Sequence, residues 1–156
     1  MTAEFTICKP KAQDVEQIGH LINHYAQTTQ ELLPRNNNHI SQHLRDFWVA
    51  VSKEQKIIGC ASLFLWSEQL SEIKSLAVAD EFTGKGIGKV LVEKCLEDAR
   101  ELGQRQVFAL TFKPEFFFKL GFKLTDRSQL PHKVWNECIF CPKLSNCGET
   151  AVVFEV

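Results

Sequence analysis

The sequence predicts one α/β domain over residues 1–156, a mixed β-sheet with helices packed against it. Three observations carry this. Phe47 to Ser52 and Ile57 to Ser67 are β-rich runs joined by the charged turn Lys53-Glu54-Gln55-Lys56, which reads as an antiparallel hairpin. Ser71 to Leu102 reads as an apolar strand, a glycine-dense loop and an amphipathic helix, and a further apolar strand, Arg105 to Phe112, follows. A strand–helix–strand succession implies a parallel crossover within a mixed sheet. Length and composition agree: 156 residues, 44% hydrophobic and 24% charged, suit one ordinary globular domain with its own core.

In chain order, Phe5 to Lys9 is a first strand stopped by Pro10. Asp14 is placed to cap a helix in which Val15, Ile18, Leu21, Ile22 and Tyr25 share one face, with Gly19 inside it and His20 and His24 on its solvated flank. A polar, turn-rich stretch, Glu31 to Asn38, leads to a short helix near His39 to Arg45. Within it Pro34 stiffens the backbone beside Arg35. After the hairpin, Ile73, Leu76, Ala77 and Val78 form a strand, and Ile87, Leu91, Cys95, Ala99 and Leu102 recur at helical spacing. The aromatic turn Phe116 to Phe122 follows the strand ending at Phe112, and Glu149 to Val156 reads as a closing strand.

The loop Thr83-Gly84-Lys85-Gly86-Ile87-Gly88 is the informative joint. A strand that feeds a glycine loop and then a helix leaves backbone N–H groups without intrahelical acceptors. Free donors and the helix dipole together favour an anion such as phosphate. A nucleotide P-loop is excluded, because Gly88-Lys89 is followed by Val90 rather than a hydroxyl residue and Thr83 stands where its first glycine belongs. A dinucleotide fingerprint fails too, since its third glycine would fall on Lys89. A plain glycine joint made for tight packing is the alternative to an anion site.

The same loop, preceded by Leu76-Ala77-Val78, resembles the acetyl-coenzyme A loop of the GNAT acetyltransferases, Gln/Arg-x-x-Gly-x-Gly/Ala. Thr83 departs from that pattern where Gln or Arg is usual. The resemblance covers nearly the whole chain. It implies the GNAT fold, a central and mostly antiparallel sheet flanked by helices with one splayed strand pair. It also implies acetyl-CoA as cofactor, held by Leu76, Ala77, Val78, Thr83, Gly84, Lys85, Gly86, Ile87, Gly88 and Lys89. "LTFKPEFFFKLGF" (Leu110 to Phe122), "LPHKVWNECIFCPKLSNC" (Leu130 to Cys147) and the "LLPR" stretch ending at Arg35 resemble the short, stand-alone N-acetylglutamate synthase-like group of amino-acid N-acetyltransferases. This implies an amino-acid acceptor, L-glutamate first, and a place in arginine biosynthesis. Arg35 is then expected to fork onto a substrate carboxylate.

Acetyl transfer from a thioester to an amine needs a base, because an amino acid is mostly ammonium at neutral pH. Glu72 is the candidate. On a period-two strand it shares a face with Lys74, Leu76 and Val78, although an ordinary strand-entry charge would look the same. An oxyanion would be held by a backbone N–H near Leu76, Ala77 or Val78. The family often has a tyrosine acid where this chain has Phe117, and the only tyrosine is Tyr25. No tyrosine acid is expected, since a thiol near pH 8.5 can leave as thiolate. Arg35, Lys74, Lys113 and Lys133 are the basic residues expected to rim a dicarboxylate acceptor.

A net charge of −1 gives no general attraction to nucleic acid or anionic membrane. The first residues lack an apolar signal core and no apolar run approaches spanning length, so a cytoplasmic location is expected. Six cysteines there read as thiols or metal ligands rather than disulfides. Cys138, Cys141 and Cys147 with His132 could make a zinc set, although beyond Cys-x-x-Cys the spacing follows no standard finger. Cys60 reads as a small core residue. Other acceptors (glutamine, a small-molecule amine, a protein N-terminus), a non-catalytic acyl-CoA-binding module and a homodimer remain open on the sequence alone.

Overall fold

The computed structural model describes residues 4–29, 32, 34–126, 130 and 149–156. The strands are β1 (Phe5–Cys8), β2 (Phe47–Ser52), β3 (Ile57–Leu65), β4 (Leu70–Val78), β5 (Gln106–Thr111), β6 (Lys123–Leu124) and β7 (Thr150–Glu155). The helices are α1 (Val15–Thr28), α2 (Asn37–Gln42), α3 (Ile87–Glu101) and α4 (Pro114–Phe118). Among the described residues the sheet has seven strands in the order β1-β2-β3-β4-β5-β7-β6. β4 and β5 pair in parallel across the α3 crossover, whereas β1–β2, β2–β3, β5–β7 and β6–β7 are antiparallel. The mixed sheet expected from the hairpin and crossover is therefore present.

The chain divides into two compact units, Met1–Leu63 with Ile73–Asp98, and Phe64–Glu72 with Ala99–Val156. In the first, Val15, Ile18 and Ile22 of α1 are buried with Ile40 of α2, Phe47 and Val49 of β2 and Cys60 of β3. The apolar stripe read from the sequence is the buried stripe. Asp14 is the residue preceding α1, but its carboxylate accepts from Lys11 N–H at 2.7 Å and closes the preceding turn instead of capping the helix. α2 begins earlier than expected because the Asn36 side chain accepts from His39 N–H at 2.7 Å, satisfying a first-turn donor. It ends at Gln42, and Leu44–Asp46 is a 3-10 turn, so the helix does not continue to Arg45.

α3 is set on the sheet by packing. Ile87, Leu91, Val92, Cys95, Leu96 and Ala99 are all buried, and each large apolar side chain so buried contributes about 1.5–3 kcal/mol. Gly59 of β3 makes the approach close: a Cβ there would stand 3.0 Å from Ile87 Cγ2 and 3.2 Å from Leu91 Cδ1.

In the second unit, β5 lies between β4 and β7, pairing Leu70–Glu72 with Gln106–Phe108 and all six of its residues with Thr150–Glu155. Phe117 of α4 packs edge-on against Phe116 and Phe122, and is 4% exposed. Phe117 is therefore a core residue, while Phe118 is exposed. Leu102, expected on the α3 stripe, lies past the helix end and is 57% exposed. The chain leaves the helix there through Gly103 at φ +76, with Gln104 N–H bonded to Ala99 O, a left-handed exit of the kind glycine favours.

Candidate active site

The glycine loop builds an open cradle. Gly84 and Gly86 adopt φ +78 and +84, which an L side chain rarely does, and nothing lies within 4 Å of a Cβ built on either. Between them Lys85 is exposed, and its ammonium lies 2.8 Å from Glu4, holding that carboxyl below its ordinary range. Gly86 O accepts from Val90 N–H, so Ile87, Gly88 and Lys89 are the first residues of α3 and have no intrahelical acceptors. Among the described residues, the amides of Gly84 through Lys89 find no protein acceptor. Thr83 differs: its hydroxyl donates to Asp80 O at 3.0 Å and its amide turns to the same carbonyl. The open donors therefore begin at Gly84, one residue later than the sequence pattern implies.

β4 leads into this loop, with Ala77 buried and Leu76 and Val78 half-buried. Ser75 sits at φ +55 inside the strand, a left-handed residue such as a β-bulge supplies. The strict period-two geometry of a regular strand is interrupted there. Two β3 side chains donate to this stretch of main chain, Ser62 Oγ to Lys74 O at 3.2 Å and Cys60 Sγ to Ser75 O at 3.3 Å. The Cys60 thiol is fully buried and burial pushes its pKa up to about 12, as it does for Cys95. Both are neutral packing thiols, as expected of Cys60.

Tyr25 of α1 reaches the end of β4. Its hydroxyl meets Val78 O and Asp80 Oδ1, the latter at 2.8 Å, and His24 Nε2 stands 3.4 Å from Asp80 Oδ2. The one tyrosine of the chain thus braces the strand that feeds the loop. Its polar partners lie 53 and 55 positions away. The only hint in the sequence is a tyrosine on a core stripe, which needs a partner for its hydroxyl.

In the second unit Glu72 is 7% exposed and accepts from Trp66 Nε1 at 3.0 Å, an indole N–H that fixes the carboxylate. The parallel β4–β5 ladder ends at the pair Glu72–Phe108. Lys113 is exposed and precedes α4, its amide donating to Thr111 Oγ1 at 2.9 Å.

The α1–α2 connection holds Arg35 by its main chain. Asn23 Nδ2 donates to Arg35 O at 2.7 Å, and Arg35 N–H donates to Asn23 Oδ1 at 2.9 Å. Downstream, Ser41 to Asp46 line a recess of about 440 Å³. Burial raises the Asp46 carboxyl against the pull of His43, Lys9 and Lys74. Lys74 accordingly faces an acidic neighbour in its own unit. Lys133, His132, Cys138, Cys141 and Cys147 lie outside the described residues. Among the described residues no three His, Cys, Asp or Glu side chains gather to hold a metal, and no helix is long and apolar enough to cross a membrane.

A mixed sheet with a parallel pair around one helix, and an amide-lined loop at that helix's mouth, suits a ligand that carries phosphate. Residues 14–122 match the acetyltransferase (GNAT) family, and the chain belongs to it. It is 43% identical to an uncharacterised N-acetyltransferase of Chlorobaculum tepidum over 122 residues, 78% of each chain. It is 35% identical to the amino-acid acetyltransferase of Mycobacterium tuberculosis over 145 residues, 88% of this chain and 82% of that one. Longer amino-acid acetyltransferases, such as that of Aeromonas salmonicida (27% identical), match over 78% of this chain and only 28% of theirs. Among solved structures, a Mycobacterium tuberculosis protein in complex with CoA superposes with TM-score 0.83 at 29% identity, covering 97% of this chain and 99% of that one. The N-acetylglutamate synthase of Neisseria gonorrhoeae, complexed with coenzyme A and N-acetyl-glutamate, shares the fold with TM-score 0.85 at 23% identity, over 99% of this chain and 36% of that one. The protein is an acetyl-CoA-dependent N-acetyltransferase related to the amino-acid acetyltransferases.

Proposed function

We propose that the protein transfers the acetyl group of acetyl-CoA to the α-amino group of L-glutamate, the chemistry of N-acetylglutamate synthesis in arginine biosynthesis. The observation that carries the cofactor half is the run of amides from Gly84 to Lys89 without acceptors among the described residues, on a loop whose glycines leave open space. These donors suit diphosphate oxygens, and the dipole of a fifteen-residue helix adds to the attraction. Bound acetyl-CoA supplies the thioester that acylates the amine.

The remaining roles fall to the chain. The main chain of Leu76, Ala77 and Val78 runs beside the cofactor arm, and Tyr25 keeps the end of that strand in place. Lys89 and Lys85 add positive charge near the loop, that of Lys85 being shared with Glu4. Glu72, held by Trp66, takes the proton from the ammonium, and no tyrosine serves as acid. Arg35 forks onto the acceptor carboxylate, with Lys74, Lys113 and Lys133 as secondary cations. An amino-acid acceptor is favoured because the M. tuberculosis relative is an amino-acid acetyltransferase, and glutamate is taken from the resemblance to the N-acetylglutamate synthase-like group.

A thiol-release assay with acetyl-CoA and a panel of amines tests this. Turnover highest on L-glutamate is expected. Preferred turnover on glutamine, on a small amine without a carboxylate or on a peptide N-terminus would replace the acceptor.

A further inference from the structure

The proposed carboxylate anchor, Arg35, sits on the connection between α1 and α2. It follows Pro34 and precedes Asn36, whose side chain caps α2. A guanidinium at the end of a long side chain selects a carboxylate only if its Cα is fixed. The bidentate fit tolerates little misplacement.

One side chain fixes it. Asn23, in the middle of α1, donates from Nδ2 to Arg35 O at 2.7 Å and accepts Arg35 N–H on Oδ1 at 2.9 Å. Both backbone polar groups of a single residue are held by one amide, as a neighbouring strand would hold them, across twelve positions of sequence. Asn23 is half-buried, so these bonds are partly shielded from water. One turn earlier on the same face is Gly19. A Cβ there would lie 2.8 Å from Asn37 Oδ1 and 3.4 Å from Ile40 Cδ1. The missing side chain lets the start of α2 settle against α1 just after Arg35. Gly19 and Asn23 together form a seat for residues 35–40.

We infer that Asn23 is a positioning residue for acceptor selection: it sets the place of Arg35 and so the preference for an amine bearing a carboxylate. This rests on the proposed role of Arg35. On this reading Asn23 acts through Arg35 and not on the reacting atoms. Its removal should loosen acceptor binding and leave the cofactor side unaffected.

The experiment measures kcat and KM for L-glutamate, and KM for acetyl-CoA, in the unsubstituted protein, Asn23→Ala, Arg35→Ala and the double variant. Two hydrogen bonds at ordinary net strength predict a rise of about tenfold in glutamate KM for Asn23→Ala. Acetyl-CoA KM and kcat should stay within about twofold, and the double variant should match Arg35→Ala within the same margin. Asn23→Asp keeps the acceptor for Arg35 N–H and loses the donor, so it should fall between Ala and Asn, and it serves if Asn23→Ala unfolds. A raised glutamate KM in Arg35→Ala with none in the Asn23 variants would overturn this inference and leave the proposed function standing. So would equal rises for both substrates, or full additivity in the double variant, either of which would make Asn23 a packing residue of α1. No effect of Arg35→Ala, or no turnover of glutamate by the unsubstituted protein, would remove the proposed anchor or acceptor, and the inference with it.

Discussion

The glycine loop offers a perturbation whose stability cost and functional cost separate. Gly86→Ala places a methyl at φ +84, and Gly103→Ala places one at φ +76. Neither Cβ would have a neighbour within 4 Å, so neither substitution clashes. Each costs only the left-handed conformation, about 1–2 kcal/mol for an L residue. At this chain length that lowers Tm by about 2–8 °C, and by a similar amount in both variants. Their places differ. Gly86 immediately precedes the first residue of α3, where donors lack acceptors among the described residues, while Gly103 lies just past the helix's last turn. A methyl at residue 86 therefore occupies space that a diphosphate would use, and a backbone driven from φ +84 turns its amides away. Acetyl-CoA KM should rise about tenfold or more in Gly86→Ala, the equivalent of about 1.4 kcal/mol of binding. It should be unchanged in Gly103→Ala. Thermal melts and thiol-release kinetics on the two purified variants are sufficient. Equal effects on acetyl-CoA KM, or an effect confined to Tm, would show that the loop is a turn and nothing more.

Other expectations follow from individual contacts. Glu72→Gln should lower kcat about a hundredfold at neutral pH, and the deficit should shrink at alkaline pH as free amine accumulates; a deficit independent of pH contradicts its role as base. Tyr25→Phe removes the hydroxyl that meets Val78 O and should raise acetyl-CoA KM about three- to tenfold, with the pH profile unaltered because no proton transfer is lost. With thiol pKa values near 12, Cys60 and Cys95 hold almost no thiolate at pH 9. Peptide-resolved alkylation should leave both unmodified in the native protein and modify both after denaturation. Glu4→Gln releases the Lys85 ammonium and should lower acetyl-CoA KM by about twofold at low salt, an effect that fades as ionic strength rises.

What could be read from the sequence was what rests on period and local chemistry. The hairpin β2–β3 is visible as two β-rich runs around a charged turn, and the stripes of α1 and α3 because burial of one face imposes spacing at 3.6 residues. The open amides of the loop are visible because glycine density between a strand and a helix is a local signal. The misses come from single side chains that choose among near-equal local options. Asn36, Asn37 and Asn38 all suit an N-cap, and the one that caps decides where α2 starts. Leu102 fits the helical period, but Gly103 turns the chain away first. The left-handed Ser75 has no composition cue, and it interrupts the regular strand geometry of β4. Trp66 on Glu72, Tyr25 on Val78 and Asn23 on Arg35 are tertiary partners, which no window of sequence displays.

The account depends on backbone donors at the start of α3 receiving an anionic cofactor. Titrating coenzyme A into isotopically labelled protein while following backbone amide resonances reads those donors one by one. The largest shifts are expected at Gly84, Gly86, Ile87, Gly88 and Lys89, joined by Leu76 to Val78 along β4. Saturable binding that leaves these amides unmoved, or no binding at all, would contradict it.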